Sequence, residues 1–351
     1  MSEKRRIDLA LQGGGAHGAF TWGVMDRLLE DERVEIEGIS GTSAGAMNGV
    51  VMADALTRGD KSTARVALRD FWQAVSRAGM ASPVRRTPLD VLTGNWSLDY
   101  SPGYIALDLM SRLVSPYQFN PFNINPLRDI VAERVDFARV RACEDLKLFV
   151  TATNVRSGKQ RIFSREEMSL DAVMASACLP NVFQAVEIDG EAYWDGGFMG
   201  NPSLSPLLHE CSAQDILVVQ ITPMYRQEIP TSAADILNRL NEITFNAALI
   251  KEVRTIVMLQ KLLGEHDIDI GCYQEARLHH LSGDESLSQL SASSKLNAEW
   301  PFLCHLHELG RAATETWLAE HFDDLGQRTT LDVERIFQEI EATRGESVEG
   351  P

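Results

Sequence analysis

Positive charge is scarce in this chain: 33 Lys and Arg stand against 50 Asp and Glu in 351 residues, a formal charge of −17 at pH 7. A surplus of that size repels nucleic acid and offers no general attraction to anionic lipid, which argues against a polyanion as partner. Long apolar runs are missing as well. No uninterrupted stretch approaches the roughly 20 residues that a spanning helix needs, so any membrane contact is expected to be peripheral. Cysteine is sparse, and Cys143, Cys178, Cys211, Cys272 and Cys304 are scattered, odd in number and never in C-x-x-C spacing. Neither a disulfide framework nor a zinc ribbon fits that pattern, whereas a reducing cytoplasm does. The basic start Met-Ser-Glu-Lys-Arg-Arg runs into Asp8, Gln12 and a glycine cluster before an apolar segment can form, so no export signal is read and a cytoplasmic location is expected. There is also no internal repeat and no low-complexity tract. With 44% hydrophobic residues the chain can bury a sizeable core, which excludes disorder.

What the chain does have is an α/β pattern. Ile7, Leu9 and Leu11 form a short strand-like run that Gly13-Gly14-Gly15 breaks. A helix is expected from near Gly18, with Phe20, Val24, Leu28 and Leu29 on one face, and residues 34–39 read as a second buried strand. Gly41-Thr42-Ser43-Ala44-Gly45 then turns into another helix. This βαβα order implies a parallel sheet covered by helices. A polar helix is expected at 61–76, strands at 146–152, 188–194 and 216–221, and a helical stretch around Met174, Ala175 and Ser176. Ile236, Leu240, Ile243, Ala247, Ile250, Val253 and Val257 step by four and three, which predicts one long amphipathic helix. A further helix is expected over 296–321. Residues 78–127 are rich in Pro, Asn and aromatics with weak periodicity and read as an insertion or cap. The expected organisation is therefore one α/β domain over 1–325, with that insertion, a helical C-terminal extension and an acidic tail at 326–351, frayed at its end.

Two glycine motifs carry the chemistry. Gly13-Gly14-Gly15-Ala16-His17-Gly18 satisfies the dinucleotide pattern G-x-G-x-x-G between a strand and a helix. The acidic residue that would hold a ribose is not where that motif requires it, because the second strand runs from Ile39-Ser40 straight into Gly41. A P-loop is excluded by the lack of Gly-Lys-Ser/Thr. The same backbone serves a different purpose equally well, since successive N–H groups at a helix N-terminus stabilise a developing oxyanion. Gly41-x-Ser43-x-Gly45 places a serine at a strand-to-helix turn, the arrangement of a nucleophile elbow, with the Ala44 N–H facing the side of Gly14 and Gly15.

Serine needs a base. Of the eight histidines, His17, His209, His266, His279, His280, His305, His307 and His321, none follows a strand in a small-residue turn, and most read as solvated or helix-surface groups. His305 and His307 point to different helix faces, which argues against a metal pair. The better candidate is Asp195, which follows the apolar run Tyr193-Trp194 and is followed by Gly196-Gly197. A carboxylate is a weak base unless desolvation raises its pKa, so this reading requires Asp195 to be shielded from water.

Taken together these residues resemble the patatin-like phospholipases, a family of lipid acyl hydrolases with a Ser-Asp dyad. The likeness covers about residues 7–225 in four ordered parts: the Gly13–Gly18 loop, the Gly41–Gly45 elbow, Ala175-Ser176 with Pro180, and Asp195-Gly196-Gly197. It implies a three-layer α/β/α sandwich with a mainly parallel central sheet. It implies Ser43 as nucleophile, Asp195 as base, and an oxyanion hole from the Gly13, Gly14, Gly15 and Ala44 backbone, with Gly41, Gly45, Gly196 and Gly197 shaping the turns. His17 stands where the family usually carries Arg or Lys. No cofactor and no metal are implied, and no calcium loop is present. The expected activity is hydrolysis of lipid acyl esters, as a phospholipase A or lysophospholipase. A polyester depolymerase or acyl-thioesterase with the same dyad stays open, as do, at lower weight, a dinucleotide-binding oxidoreductase and a silent lipid-binding module. Peripheral membrane contact and homo-oligomerisation are likewise left open. Trp96, Tyr100, Tyr104, Tyr117, Phe119 and Phe122 in the insertion read as a cap over an acyl cleft or as docking residues, the alternatives being core filling or a dimer contact.

Overall fold

Strand β1 (Arg5–Leu11) carries Ile7, Leu9 and Leu11 on one side and Asp8 and Ala10 on the other, and all five are buried. Burial on both faces is what a central strand of a helix-covered sheet requires. The computed structural model describes residues 4–226, 228–266 and 275–332. Its other strands are β2 (Val34–Gly41), β3 (Lys147–Asn154), β4 (Gln160–Ser164), β5 (Val186–Ile188), β6 (Glu191–Asp195), β7 (Asp215–Gln220) and β8 (Arg277–Ser282). They form a single sheet in the order β5-β6-β3-β2-β1-β7-β8, with β4 pairing to β3. The run from β3 to β8 is parallel, whereas β4, β5 and β6 are antiparallel additions.

The main helices are α1 (Gly18–Glu30), α2 (Ala44–Arg58), α3 (Lys61–Gly79), α4 (Pro88–Thr93), α5 (Pro102–Leu113), α6 (Pro116–Phe119), α7 (Pro126–Arg134), α8 (Phe137–Ala142), α9 (Leu170–Ser176), α10 (Ser205–Glu210), α11 (Ala233–His266) and, after a single turn at Asp284–Leu287, α12 (Trp300–His321). On one face of the sheet Ile7, Leu9, Leu148 and Val219 pack with α1, α2, α3 and α12. On the other, Ala10, Phe149, Ile216 and Val218 pack with Leu207 of α10 and Leu249, Val253 and Ile256 of α11. The result is a three-layer α/β/α sandwich with a mainly parallel sheet. Register levels the carboxyl ends of the strands: Leu11 lies beside Gly41 and Val219, Gly41 beside Val150, and Asp195 beside Ala152. The loops that follow β1 and β2, and the end of β6, therefore meet at one edge.

Several expectations change. The single strand expected at 188–194 is a hairpin, β5 and β6, turning at Asp189-Gly190 with both residues at positive φ. The stretch read as weakly periodic at 78–127 holds α4, α5 and α6, each started by a Pro in its first turn, where the missing N–H costs nothing. The boundary expected at 325 moves outward. The Gly326 N–H donates to Asp215, the Thr330 and Leu331 N–H groups to the Leu278 carbonyl, and Leu331 is buried. The frayed end expected at 345–351 lies outside the described residues.

Candidate active site

The chain leaves β2 at Gly41 and doubles back through Thr42, whose N–H donates to the Leu11 carbonyl at 3.2 Å and whose Oγ1 donates to the Gly200 carbonyl at 2.7 Å. Ser43 is held at φ 52°, ψ −115°, outside the regions that side-chain-bearing residues occupy at ease. Such a conformation costs on the order of 1–3 kcal/mol and persists only where the surroundings over-determine it. Here they do. The Ser43 N–H donates to Ser176 Oγ of α9 at 2.9 Å, the Gly45 N–H to the Thr42 carbonyl at 2.8 Å, and a side chain at Gly45 would strike the Leu11 carbonyl.

Asp195 ends β6 with 1% of its surface exposed. Burial pushes its carboxyl up to about 7, against the pull of two hydrogen bonds to the ionised form, from the Gly197 N–H at 2.7 Å and from the Ser43 side chain. Gly197 leaves no room for a side chain because the Phe245 ring of α11 lies against it, and Phe245 also meets the Phe198 ring edge-on at 5.1 Å. The aromatic pair shields the carboxylate from water, which is the shielding the sequence reading required. The nearest thiol, Cys178, is raised to about 12 by burial and by the Asp195 charge, so it stays protonated.

Across the cleft the glycine loop is not uniform. The Gly13 N–H is taken by Asn201 Oδ1 at 2.7 Å, so Gly13 is withdrawn from the expected set of oxyanion donors. Among the described residues no acceptor takes the N–H of Gly14, Gly15 or Ala44. His17 is buried and its pKa falls to about 3, first through desolvation and then through the charges of Lys295 and Arg226. Ser294 Oγ donates its one hydrogen to the Ser291 carbonyl at 2.6 Å, so its 2.7 Å contact with His17 Nε2 places a hydrogen on that nitrogen. His17 is thus a neutral strut between loop and scaffold and supplies no positive charge.

Among the described residues, no histidine hydrogen-bonds Ser43 or Asp195. The surface reading fails for two of them, since His17 and His279 are both buried. His279 bridges Asp215 and Thr330 at 2.9 Å each, fastening 326–331 to the sheet. His305 stacks on Trp96 and His307 on Trp22. No group of three potential metal ligands occurs among the described residues, and no described helix is long and apolar enough to cross a membrane.

Sequence reasoning did not reach several residues that shape the site. Gln12 accepts from the Ile221 and Thr222 N–H groups at 3.0 and 2.9 Å and donates to Asn246 Oδ1 at 3.0 Å, which clamps α11 over the edge of the sheet. Asn201, Phe245 and Lys295 are the others. Each lies more than 150 residues from the glycine loop, so local spacing carries no sign of it; the Asn201-Pro202 pair soon after Asp195-Gly196-Gly197 was the one available hint.

The chain is an α/β/α sandwich with a strained serine and a buried aspartate at the carboxyl edge of its sheet. The family model of patatin-like phospholipases matches residues 9–208, more than half of the sequence, and the chain belongs to that family. An uncharacterized NTE family protein of Mycobacterium tuberculosis is 28% identical over 213 residues, 59% of this chain and 46% of the relative, and one of Mycobacterium bovis matches to the same extent. The chain thus spans about half the length of these curated relatives. Among solved structures, VipD from Legionella pneumophila gives a TM-score of 0.36 at 14% identity, covering 99% of this chain and 81% of that one. The ExoU-SpcU complex from the type III secretion system of Pseudomonas aeruginosa gives 0.31 at 17% identity, covering 99% and 68%.

Proposed function

We propose that this chain hydrolyses acyl esters of lipids through a Ser43–Asp195 dyad. The observation that carries the reading is a strained serine at the strand-to-helix turn whose side chain acts on a fully buried carboxyl that burial pushes up to about 7. Asp195 accepts the Ser43 proton as Oγ bonds to the ester carbonyl carbon, and the Gly14, Gly15 and Ala44 N–H groups hold the resulting oxyanion. Collapse breaks the bond to the alcohol, which leaves with the proton from Asp195. Water then attacks the acyl-enzyme, gives its proton to Asp195, and the acid departs as Ser43 regains its hydrogen. Every donor in the hole is a main-chain group, so a neutral His17 is compatible with the chemistry.

The rim supports contact with a lipid surface. Helix α5 buries none of its residues and exposes Ile105, Leu109, Met110 and Leu113; Leu92 and Phe122 of the same insertion are 84% and 86% exposed. The insertion is tied to the site, because Gln184 donates to the Asn120 carbonyl and the Ala185 N–H to Tyr117 Oη, within the loop that follows Ser176. Trp96 takes no part, being packed on Phe302 and His305 with Arg86 over its ring. The deciding experiment offers a panel of phospholipids, acylglycerols, thioesters and polyesters to wild type and Ser43→Ala, with fluorophosphonate labelling alongside. Labelling of Ser43→Ala at the wild-type rate would falsify the reading.

A further inference from the structure

Helix α9 ends inside the protein. Ser169 caps its start by accepting from the Ala172 N–H at 3.1 Å, and Ala172, Val173, Met174, Ala175 and Ser176 are all buried, packed toward β3, β5 and β6. A serine with none of its surface exposed needs a partner for its hydroxyl, and Ser176 Oγ finds one in the Ser43 N–H at 2.9 Å. Two residues further on, the Cys178 carbonyl accepts from the Asp195 N–H at 2.8 Å. One short stretch of chain therefore grips the backbone of both members of the proposed dyad. The sheet does not pair them directly. Gly41, which leads to Ser43, lies beside Val150 of β3, and Asp195 lies beside Ala152 of the same strand, so β3 keeps the two apart by two strand spacings, about 10 Å. The gripping stretch is moored at its outer end as well. The Val182 and Phe183 N–H groups both donate to the Leu179 carbonyl at 3.0 Å, and the Cys178 thiol donates to the Gln184 carbonyl at 3.1 Å. Gln184 Nε2 then donates to the Asn120 carbonyl at 2.9 Å, and the Ala185 N–H to Tyr117 Oη at 3.2 Å. The thiol keeps its hydrogen for this purpose, since burial and the Asp195 charge push it up to about 12.

We propose that Ser176 is a positioning residue that aims Ser43 at Asp195, and that residues 176–185 carry its hold outward to the insertion. The inference rests on the dyad reading above and adds to it the residues that align the two members. Ser43 sits in a conformation that its surroundings must enforce. The Gly45 contacts close the turn against Leu11, while the Ser176 bond fixes the Ser43 N–H and with it the direction of the Cα–Cβ bond. Without that acceptor the peptide is free to rotate toward an unstrained region, which swings Ser43 Oγ off the carboxyl. A displacement on the order of 1 Å is enough to cost about a hundredfold in rate. Mooring on α6 makes the aim depend on how the insertion is seated. Tyr117 is 58% exposed, so a contact that shifts α6 pulls on 184–185 and, through Cys178, on the Asp195 backbone.

Fluorophosphonate labelling rates and hydrolysis of a short soluble ester are compared in wild type, Ser176→Ala, Ser176→Thr and the double variant Tyr117→Phe with Gln184→Ala. Ser176→Ala is expected to lower the labelling rate and kcat about 10- to 100-fold with KM within about twofold, and Ser176→Thr, which keeps the acceptor, to recover part of the loss. The double variant, remote from the reacting atoms, should lose about 3- to 10-fold in the same two readouts. The pH profile adds a readout that packing alone does not move. The Ser43 side chain holds the Asp195 carboxyl down, so losing the aim should shift the acid limb of kcat/KM to higher pH in Ser176→Ala. Wild-type rates and profile in Ser176→Ala overturn the proposal. So does a loss that matches the unfolded fraction, with a wild-type profile for the folded molecules. A double variant with the wild-type labelling rate overturns the link to the insertion, and the whole proposal where Ser176→Ala does not fold. A wild type that neither labels nor hydrolyses any ester removes the dyad reading, and hydrogen exchange at the Ser43 amide then decides the positioning role by itself. Exchange about tenfold faster in Ser176→Ala supports that role, and unchanged exchange overturns it.

Discussion

In the proposed dyad Ser43 is strained and Asp195 is buried, and each makes its own prediction. Ser43→Ala is expected to drop hydrolysis to background and abolish fluorophosphonate labelling with an unchanged circular dichroism spectrum, since Oγ packs no core. Asp195→Asn keeps the Gly197 hydrogen bond but cannot take a proton, so turnover should fall by about 10²–10⁴. The acid limb follows from the raised pKa: the carboxyl is protonated and idle below about 7, so kcat/KM should climb with pH and level off above it. A profile flat down to pH 5 would assign the proton transfer to some other group. Histidines enter only through stability. His305→Ala should keep most of the activity, whereas His279→Ala, which takes one partner from Asp215 and leaves the Thr330 hydroxyl without its imidazole, should cost about 1–3 kcal/mol with the rate per folded molecule retained. At this scale the placement of Ser43 and Ala44 at a strand-to-helix turn and of Asp195 at a strand end was legible in the sequence, because turn geometry marks those positions. The sequence could not distinguish Gly13 from Gly14, because what separates them is the side-chain oxygen of Asn201, brought in by the segment that follows β6.

Among the elements, the insertion and α11 frame the cleft differently. Helix α11 is held by Gln12–Asn246 and buries Leu249, Val253 and Ile256, yet its earlier turns expose Ile236, Leu240 and Ile243. Helix α5 buries none of its residues among the described part of the chain and exposes Ile105, Leu109, Met110 and Leu113. Exposing that much hydrocarbon to water is unfavourable unless a surface covers it, and a bilayer offers such a face apolar contact. Leu109→Ser combined with Leu113→Ser should reduce hydrolysis of a long-chain lipid in phosphatidylcholine vesicles several-fold more than that of a short soluble ester, with little change on adding salt. Equal loss on both substrates would retire α5 as a docking element. Trp96→Ala, by contrast, removes a core ring and should lower the melting temperature and both activities together. The long helices were readable because they bury one face at a regular step; α4, α5 and α6 escaped because exposed apolar positions blur that period. Strand β8 escaped as well, since His279 and His280 in Arg277–Ser282 give no apolar alternation, His279 being buried only because Asp215 and Thr330 satisfy it.

For the whole molecule, buried carboxyls set how stability responds to pH. Asp8, in the middle of β1, is raised to about 8, first by burial and then by the nearby Glu37 charge. The folded state keeps this proton to about 8 while the unfolded chain, with an ordinary value of 3.8, has released it, so the stabilisation is complete below about 4 and fades as pH rises toward 8. Asp8→Asn carries no such proton. Its stability relative to wild type should therefore improve between pH 5 and pH 8 in urea unfolding, and a difference constant across that range would show that Asp8 does not titrate in this way. The strained elbow reaches the same scale by another route. Holding Ser43 at φ 52° is a standing cost to the fold, and glycine would remove it together with the hydroxyl. Under selection for heat resistance alone, with no demand for turnover, position 43 is where lineages of this protein should drift first, trading their chemistry for a more durable scaffold.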